Sequence, residues 1–311
     1  MKEFHIGEVI KKKRLELGLS QIELCGGICD ISTMSRIETG KQTPAKNKLA
    51  LLLERLDLPS ERYFALVSQQ EADIQNLQTE IIFCHARKDP KAGLEKLAAL
   101  EAIVEEDDHI TQQFILRNKA GMGYWENGEI KPYTQEQTLE LLYEAIRLTV
   151  PGFSIENFEA GRYGVEEIKI INQIGLCYYD MGDNKKAVSI YRPLLHYIKN
   201  TFCNLEQAHL LDLLVSYNYG LALYMEKEYE AALEIAQAAR RSCIHSNRYT
   251  TCFGGVLYLI SHSLYKLGRI EECRQYFYQA YYVYMALEDF KDAQMIKDNA
   301  AEFGLDITLE C

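Results

Sequence analysis

The sequence predicts an all-α chain in two parts: a bundle of short helices at the N-terminus, then a solenoid of stacked helix pairs. Three observations carry this. β-Branched alternation never lasts more than a few residues, whereas apolar residues recur at helical spacing along almost the whole chain. Start and stop signals divide residues 1–66 into short helices. Further on, one pattern of small and aromatic residues returns at intervals of 45 and 41 residues.

In residues 1–66 the expected helices are 6–17, 21–25, 32–38 and 45–56, with a longer one opening after Pro59. Ser20 with Glu23 three positions on is a capping-box pattern, and Gly18 and Gly40 sit where helices end. From Ser60 the chain reads as one helix to about His85, with a polar, solvent-facing middle over 68–78. Lys88-Asp89-Pro90 ends it, because proline cannot continue a helix. The expected division is therefore 1–66, a linker helix over 67–87, and repeats over 88–311.

The repeat anchors are Gly175, Tyr178, Gly182, Ala187 and Tyr191. They return as Gly220, Leu223, Tyr229, Ala232 and Ala236, and again as Ser261, Leu264, Gly268, Cys273 and Phe277. Small residues let two helices approach closely while aromatics fill the adjacent groove, so stacked pairs bury one continuous core. A degenerate unit is read at Gly121, Tyr124, Gly128 and Ala145, another around residues 92–100, and a terminal cap over 289–304. The period exceeds the roughly 34 residues of a standard tetratricopeptide unit, so the helices are extended. Pro193 is expected to kink or start a helix.

Bulk properties narrow the function. The chain has 311 residues, 48% of them hydrophobic, and a net charge of -11. Residues 1–66 hold eleven Lys and Arg against nine Asp and Glu, whereas the remainder holds 23 against 36. Only the first segment suits a phosphate backbone, with modest sequence-independent affinity. The polar N-terminus has no secretory signal pattern and no segment approaches a membrane span, so a cytoplasmic protein is expected. Nine cysteines, at 25, 29, 84, 177, 203, 243, 252, 273 and 311, form no CxxC pair and read as reduced core thiols. No phosphate loop, nucleophile elbow or HExxH motif is found, so neither an enzyme nor a cofactor or metal site is expected.

On a helical wheel Met34 and Ile37 share a face with Glu38, while Ser32, Thr33, Ser35 and Arg36 project away from it. Small polar groups with one arginine suit a major groove. Ile10, Arg14 and Leu17 fall on one face of the first helix, so Arg14 points inward and needs a counter-charge, for which Glu38 is the obvious candidate. The stretch IKKKRLELGLSQIELCGGICDISTMSRIETGKQTP resembles the helix-turn-helix of the lambda repressor and Cro type over roughly residues 6–56. The resemblance implies that Gln21 opens the second helix and touches a phosphate, that the surface from Ser32 to Arg36, with Lys41 beyond it, faces DNA, and that Arg14 and Glu38 form an internal ion pair. The run Cys25-Gly26-Gly27 departs from the single glycine usual in this turn and is expected to loosen it.

A helix-turn-helix followed by tetratricopeptide-like repeats resembles the peptide-pheromone receptors of Gram-positive bacteria, the Rgg, PlcR and PrgX group. The likeness covers nearly the whole chain, by architecture and length more than by residues outside the first segment. It implies a homodimer on double-stranded DNA whose repeats bind a short signalling peptide in their concave groove. In tetratricopeptide geometry the first helix of each pair lines that groove. This selects Asn172, Leu176 and Tyr179; Tyr217, Leu221 and Tyr224; and Tyr258, His262 and Tyr265, with Asn218 on a neighbouring face. One amide side chain both donates to and accepts from an extended peptide backbone, which suits Asn172. The same Tyr and Asn groups equally suit caps or bridges within the solenoid. Two other readings stay open: a constitutive phage-like or antitoxin-like repressor whose repeats serve dimerisation or protein partners, and a tetratricopeptide adaptor without DNA binding. The intact pattern over residues 21–41 speaks against the adaptor.

Overall fold

The computed structural model describes residues 5–58, 69–158, 161–201, 208–246 and 251–307. The chain divides into two compact units, residues 1–177 and 178–311.

The first unit opens with α1 (Ile6–Glu16), α2 (Gln21–Cys25), α3 (Ile31–Glu38) and α4 (Lys46–Arg55). Local chemistry sets their edges. Ser20 Oγ accepts from the Glu23 N–H while Glu23 Oε2 accepts from the Ser20 N–H at 2.6 Å, closing the capping box. α3 starts one residue earlier than expected because Asp30 is its cap, accepting from the Thr33 N–H at 2.8 Å. Ile10, Leu24, Ile28, Met34, Ile37, Leu49 and Leu51 to Leu53 fill the space between these helices as one apolar cluster.

The unit continues with α5 (Gln69–Ala86), α6 (Pro90–Glu101), α7 (His109–Met122), a hairpin of β1 (Tyr124–Glu126) and β2 (Glu129–Lys131), α8 (Gln135–Thr149) and the start of α9 (Val165–Asp180). α5 packs on α6 and α6 on α7 around Ile81, Leu94, Leu97, Leu100, Phe114 and Ile115, and α7 packs on α8. The expected start of the linker helix falls in residues 59–68, outside the described residues.

The hairpin corrects the reading of Tyr124 and Gly128 as helical repeat anchors, whereas Gly121 lies in α7. α7 stops at Met122, and Tyr124 pairs with Lys131 in an antiparallel ladder. Asn127 and Gly128 take φ of 51° and 82°, the left-handed pair that a two-residue hairpin turn requires.

The second unit holds α10 (Asn184–Thr201), α11 (Ala208–Met225), α12 (Tyr229–Ser246), α13 (Thr251–Lys266), α14 (Ile270–Ala286) and α15 (Phe290–Glu302). Each packs on the next, and α11 also packs on α13, so the unit is a stack of neighbours. The small anchors work as the spacing predicts. A Cβ on Gly220 would lie 2.5 Å from Leu259 Cδ2, and Ala232, Ala236, Ser261, Cys273 and Phe277 are completely buried. Pro193 lies inside α10, which runs on through it and does not start there. The seven described cysteines are free thiols; Cys203 and Cys311 lie outside the described residues. Among the described residues no helix is long and apolar enough to cross a membrane.

Candidate nucleic-acid interface and ligand face

Buried Met34 and Ile37 hold α3 against the first unit's core, leaving Ser32, Ser35, Arg36 and Lys41 exposed. Arg14 fixes the opposite side. Its Nε and Nη2 donate to Glu38 Oε1 and Oε2 at 2.6 and 3.0 Å, and its Nη1 donates to the Leu19 carbonyl at 2.6 Å. Both side chains are buried, with Arg14 7% and Glu38 4% exposed. Burial opposes ionisation of Glu38, but hydrogen bonds from Arg14 and Gln21 outweigh it and hold the carboxyl below its usual range.

Gln21 is half-buried, and its Nε2 donates to Glu38 Oε2 at 2.8 Å, so one of its amide N–H groups is committed inside the domain. Ser32 and Thr33 are tied to the helix cap, their hydroxyls donating to Asp30 at 2.5 and 2.8 Å. These bonds hold the Asp30 carboxyl far below the ordinary range. Arg36 Nη2 donates to Thr33 Oγ1 at 3.1 Å, which orients the guanidinium along the exposed face. Asp30 was not singled out from sequence, although an Asp two residues before Ser32 is a capping signal.

Sequence reasoning also passed over Arg55. It is 3% exposed and donates to four acceptors: the Leu24 and Gly26 carbonyls at 3.0 and 2.8 Å, the Thr149 carbonyl at 3.1 Å and Glu167 Oε1 at 2.9 Å. Beside it Glu54 Oε2 accepts from the Val165 N–H at 2.9 Å, and burial pushes the Glu54 carboxyl up to about 7.

On α9, Asn172 is 4% exposed, and in α11 Asn218 is 7% exposed; both are engaged within the protein. The neighbouring Gln173 is only half-buried, and its Oε1 is buried without a partner. In the second unit Tyr179, Tyr217, Leu221, Tyr224, Tyr258, His262 and Tyr265 are all half-buried. Burial pushes the Tyr217 and Tyr258 phenols up to about 12 and raises those of Tyr179 and Tyr224, so all are neutral donors at neutral pH. His262 lies among Tyr258, Phe303, Phe277 and Tyr224, with ring centroids 4.2, 4.9, 5.5 and 5.9 Å away. Burial, with Lys266 adding to it, brings the imidazole down to about 4, and its Nε2 is buried without a partner. At neutral pH the imidazole is therefore neutral, with one nitrogen unpaired inside an aromatic box. Among the described residues no group of three or more His, Cys, Asp and Glu is placed to hold a metal ion.

PlcR of Bacillus thuringiensis, solved in complex with the peptide PapR7 and DNA, is similar with a TM-score of 0.57 and 20% identity, over 93% of this chain and 98% of that one. Its apo form is similar at 0.58 and 21%, over 93% and 97%. At this identity the likeness is one of fold. No curated protein matches the chain in sequence. A helix-turn-helix family matches residues 10–62. Residues 93–299, more than half of the sequence, match the RNPP family C-terminal domain, and the chain belongs to the RNPP family.

Proposed function

We propose that the chain is a DNA-binding transcriptional regulator whose repeats take up a short signalling peptide that modulates DNA binding. One observation carries the DNA half: α3 is pinned from behind by Met34, Ile37 and the Arg14–Glu38 pair, and it presents Ser32, Ser35 and Arg36 outward. In this reading Arg36 makes the base contact, Thr33 and Ser32 shape its approach, and Gln21 and Lys41 lie along the phosphates. The peptide half is supported by polar groups on first helices of the repeats: half-buried Gln173 beside buried Asn172 in the first unit, and half-buried Tyr179, Tyr217, Tyr224, Tyr258 and His262 with buried Asn218 in the second. Of these, Gln173 Oε1 and His262 Nε2 are buried without a partner. PlcR, solved with both a peptide and DNA, supports the two partners.

The parts divide as residues 1–66 for DNA, 67–87 as linker helix and 88–311 for sensing and dimerisation. The protein works as a homodimer in the cytoplasm and catalyses nothing. Selection of double-stranded DNA from a random library by the full chain tests the reading. Enrichment of a two-fold symmetric site, lost with Arg36→Ala, is the expected result. Failure to enrich any sequence overturns it. Synthetic peptides from short reading frames beside the gene, titrated into the selected complex, test the sensing half.

A further inference from the structure

We infer that Arg55 is a positioning residue for DNA reading, clamping the turn between α2 and α3 to the ends of α8 and α9 so that the repeat scaffold sets the aim of α3. The inference rests on the DNA reading proposed above. Arg55 ends α4, and its guanidinium is one rigid plane with donors in fixed directions. Nη1 serves the turn, donating to the Leu24 and Gly26 carbonyls, while Nη2 serves the repeats, donating to the Thr149 carbonyl and Glu167 Oε1. A plane anchored at both edges cannot tilt on one side without breaking bonds on the other.

The acceptor side is itself fixed. Glu167 is completely buried; its Oε1 also accepts from Thr149 Oγ1 at 2.6 Å, and its Oε2 accepts from the Gly164 N–H at 2.6 Å. Gln113 Nε2 in turn donates to Thr149 Oγ1 at 2.6 Å. Two glycines close the joint. Gly27, at φ 73°, lies so near Thr149 that a Cβ would sit 1.8 Å from its carbonyl oxygen, and a Cβ on Gly164 would sit 2.4 Å from Leu51 Cδ1. The Gly-Gly run expected to loosen the turn instead lets its backbone reach the end of α8. Buried ionic hydrogen bonds are directional, whereas apolar contacts slide, so this joint specifies an angle and not only an attachment.

A plain structural reading makes Arg55 a cap for the end of α2, and the two differ in what Glu167 does. Glu167→Gln leaves the turn carbonyls bonded; on the scaffold side it removes the charge and turns one of the two accepting oxygens into a donor. DNA is first selected from a random library with the wild-type protein. Glu167→Gln and Arg55→Met are each expected to bind it tenfold or more weakly, with no further loss in the double variant, because the two residues act as one unit. Binding to unselected DNA at low salt should not change, since it depends on phosphate contacts. Hydrogen exchange should show protection lost together at the Ile28 and Cys29 amides of the turn and at the Ile168 amide of α9. Wild-type affinity in Glu167→Gln, additive losses in the double variant, or lost protection confined to the turn would each overturn the clamp. If the wild-type protein enriches no sequence, the DNA reading fails, and paired or unpaired loss of protection still decides the clamp. If Arg55→Met does not fold, the Glu167→Gln exchange pattern decides it alone.

Discussion

Removing Glu38 tests the internal frame of the DNA-binding helices most directly. Three donated hydrogen bonds end on its carboxylate, two from Arg14 and one from Gln21. In Glu38→Ala they vanish together, and Arg14 keeps only the Leu19 carbonyl while remaining in a buried position. Stranding one member of a buried pair costs about 3–5 kcal/mol. A whole domain holds only about 5–15 kcal/mol of net stability, so the loss takes a large share. At about 4–8 °C per kcal/mol for a domain of this size, the transition of the N-terminal helices should fall by at least about 12 °C. Calorimetry on the full chain reads the shift, and hydrogen exchange at the Met34 and Ile37 amides assigns it to these helices. The pH dependence adds a second constraint. Glu38 has a folded pKa below its unfolded value, so its contribution is complete above about 4.3 and is lost as pH falls through the folded value. The gap between wild type and Glu38→Ala should therefore narrow in acid. Arg14→Met with Glu38→Leu should recover most of the stability, since a buried pair replaced by apolar groups is often neutral. Equal melting of wild type and Glu38→Ala, or a gap unchanged down to pH 3, would refute the reasoning.

Arg36→Ala should cost about 1–3 kcal/mol in discrimination between the selected site and a single-base variant while leaving the melting curve unchanged, because the side chain is exposed. A footprint with unaltered preference removes Arg36 from the base contacts. Light scattering should find a dimer, with DNA half-sites about 34 Å apart or a multiple of that; a monomer on DNA at micromolar concentration contradicts it. Asn172→Ala and Gln173→Ala should both weaken the response to peptide while basal DNA affinity survives. If only Gln173→Ala does so, Asn172 is a structural amide.

The residues that could be placed from sequence are those whose partners are local or share a helix face. Ser20 and Glu23 are three apart, and Arg14 and Glu38 each carry an inward face that demands a counter-charge. Arg55 offers no such signal. It follows an apolar run in LLLERL, and its acceptors at Thr149 and Glu167 lie 94 and 112 residues away, where only the folded chain brings them. The hairpin was missed although Asn127-Gly128 is a strong turn pair, because the repeat pattern was extended through it. On α9, a step of one residue turns a side chain by about 100°, enough to separate buried Asn172 from half-buried Gln173. An offset copied from repeats with shorter helices does not resolve that step.

Glu54 makes the joint between the DNA-binding helices and α9 pH-sensitive in the sense opposite to Glu38. Its carboxyl accepts from the Val165 N–H at the first residue of α9, and burial, with Glu167 and Glu166 nearby, raises it to about 7. For an acid whose folded pKa exceeds its unfolded value of about 4.3, the folded state binds more protons between the two values, so stability falls as pH rises through that window. A shift of this size is worth at most about 4 kcal/mol at pH above 7, and partial exposure of the side chain reduces it. A fall in pH below about 4.3 therefore weakens the Arg14–Glu38 frame, while a rise in pH from about 4.3 to about 7 weakens the docking of α4 on α9, and the two losses separate on the pH axis. Exchange protection at Ile168, corrected for the intrinsic rate, should decline between pH 5 and 8 in the wild type. Glu54→Gln keeps an oxygen for the Val165 N–H and cannot titrate, so its protection should stay flat across the same range. A wild-type profile as flat as that of Glu54→Gln would mean that the carboxyl is ionised throughout and that the joint does not respond to pH.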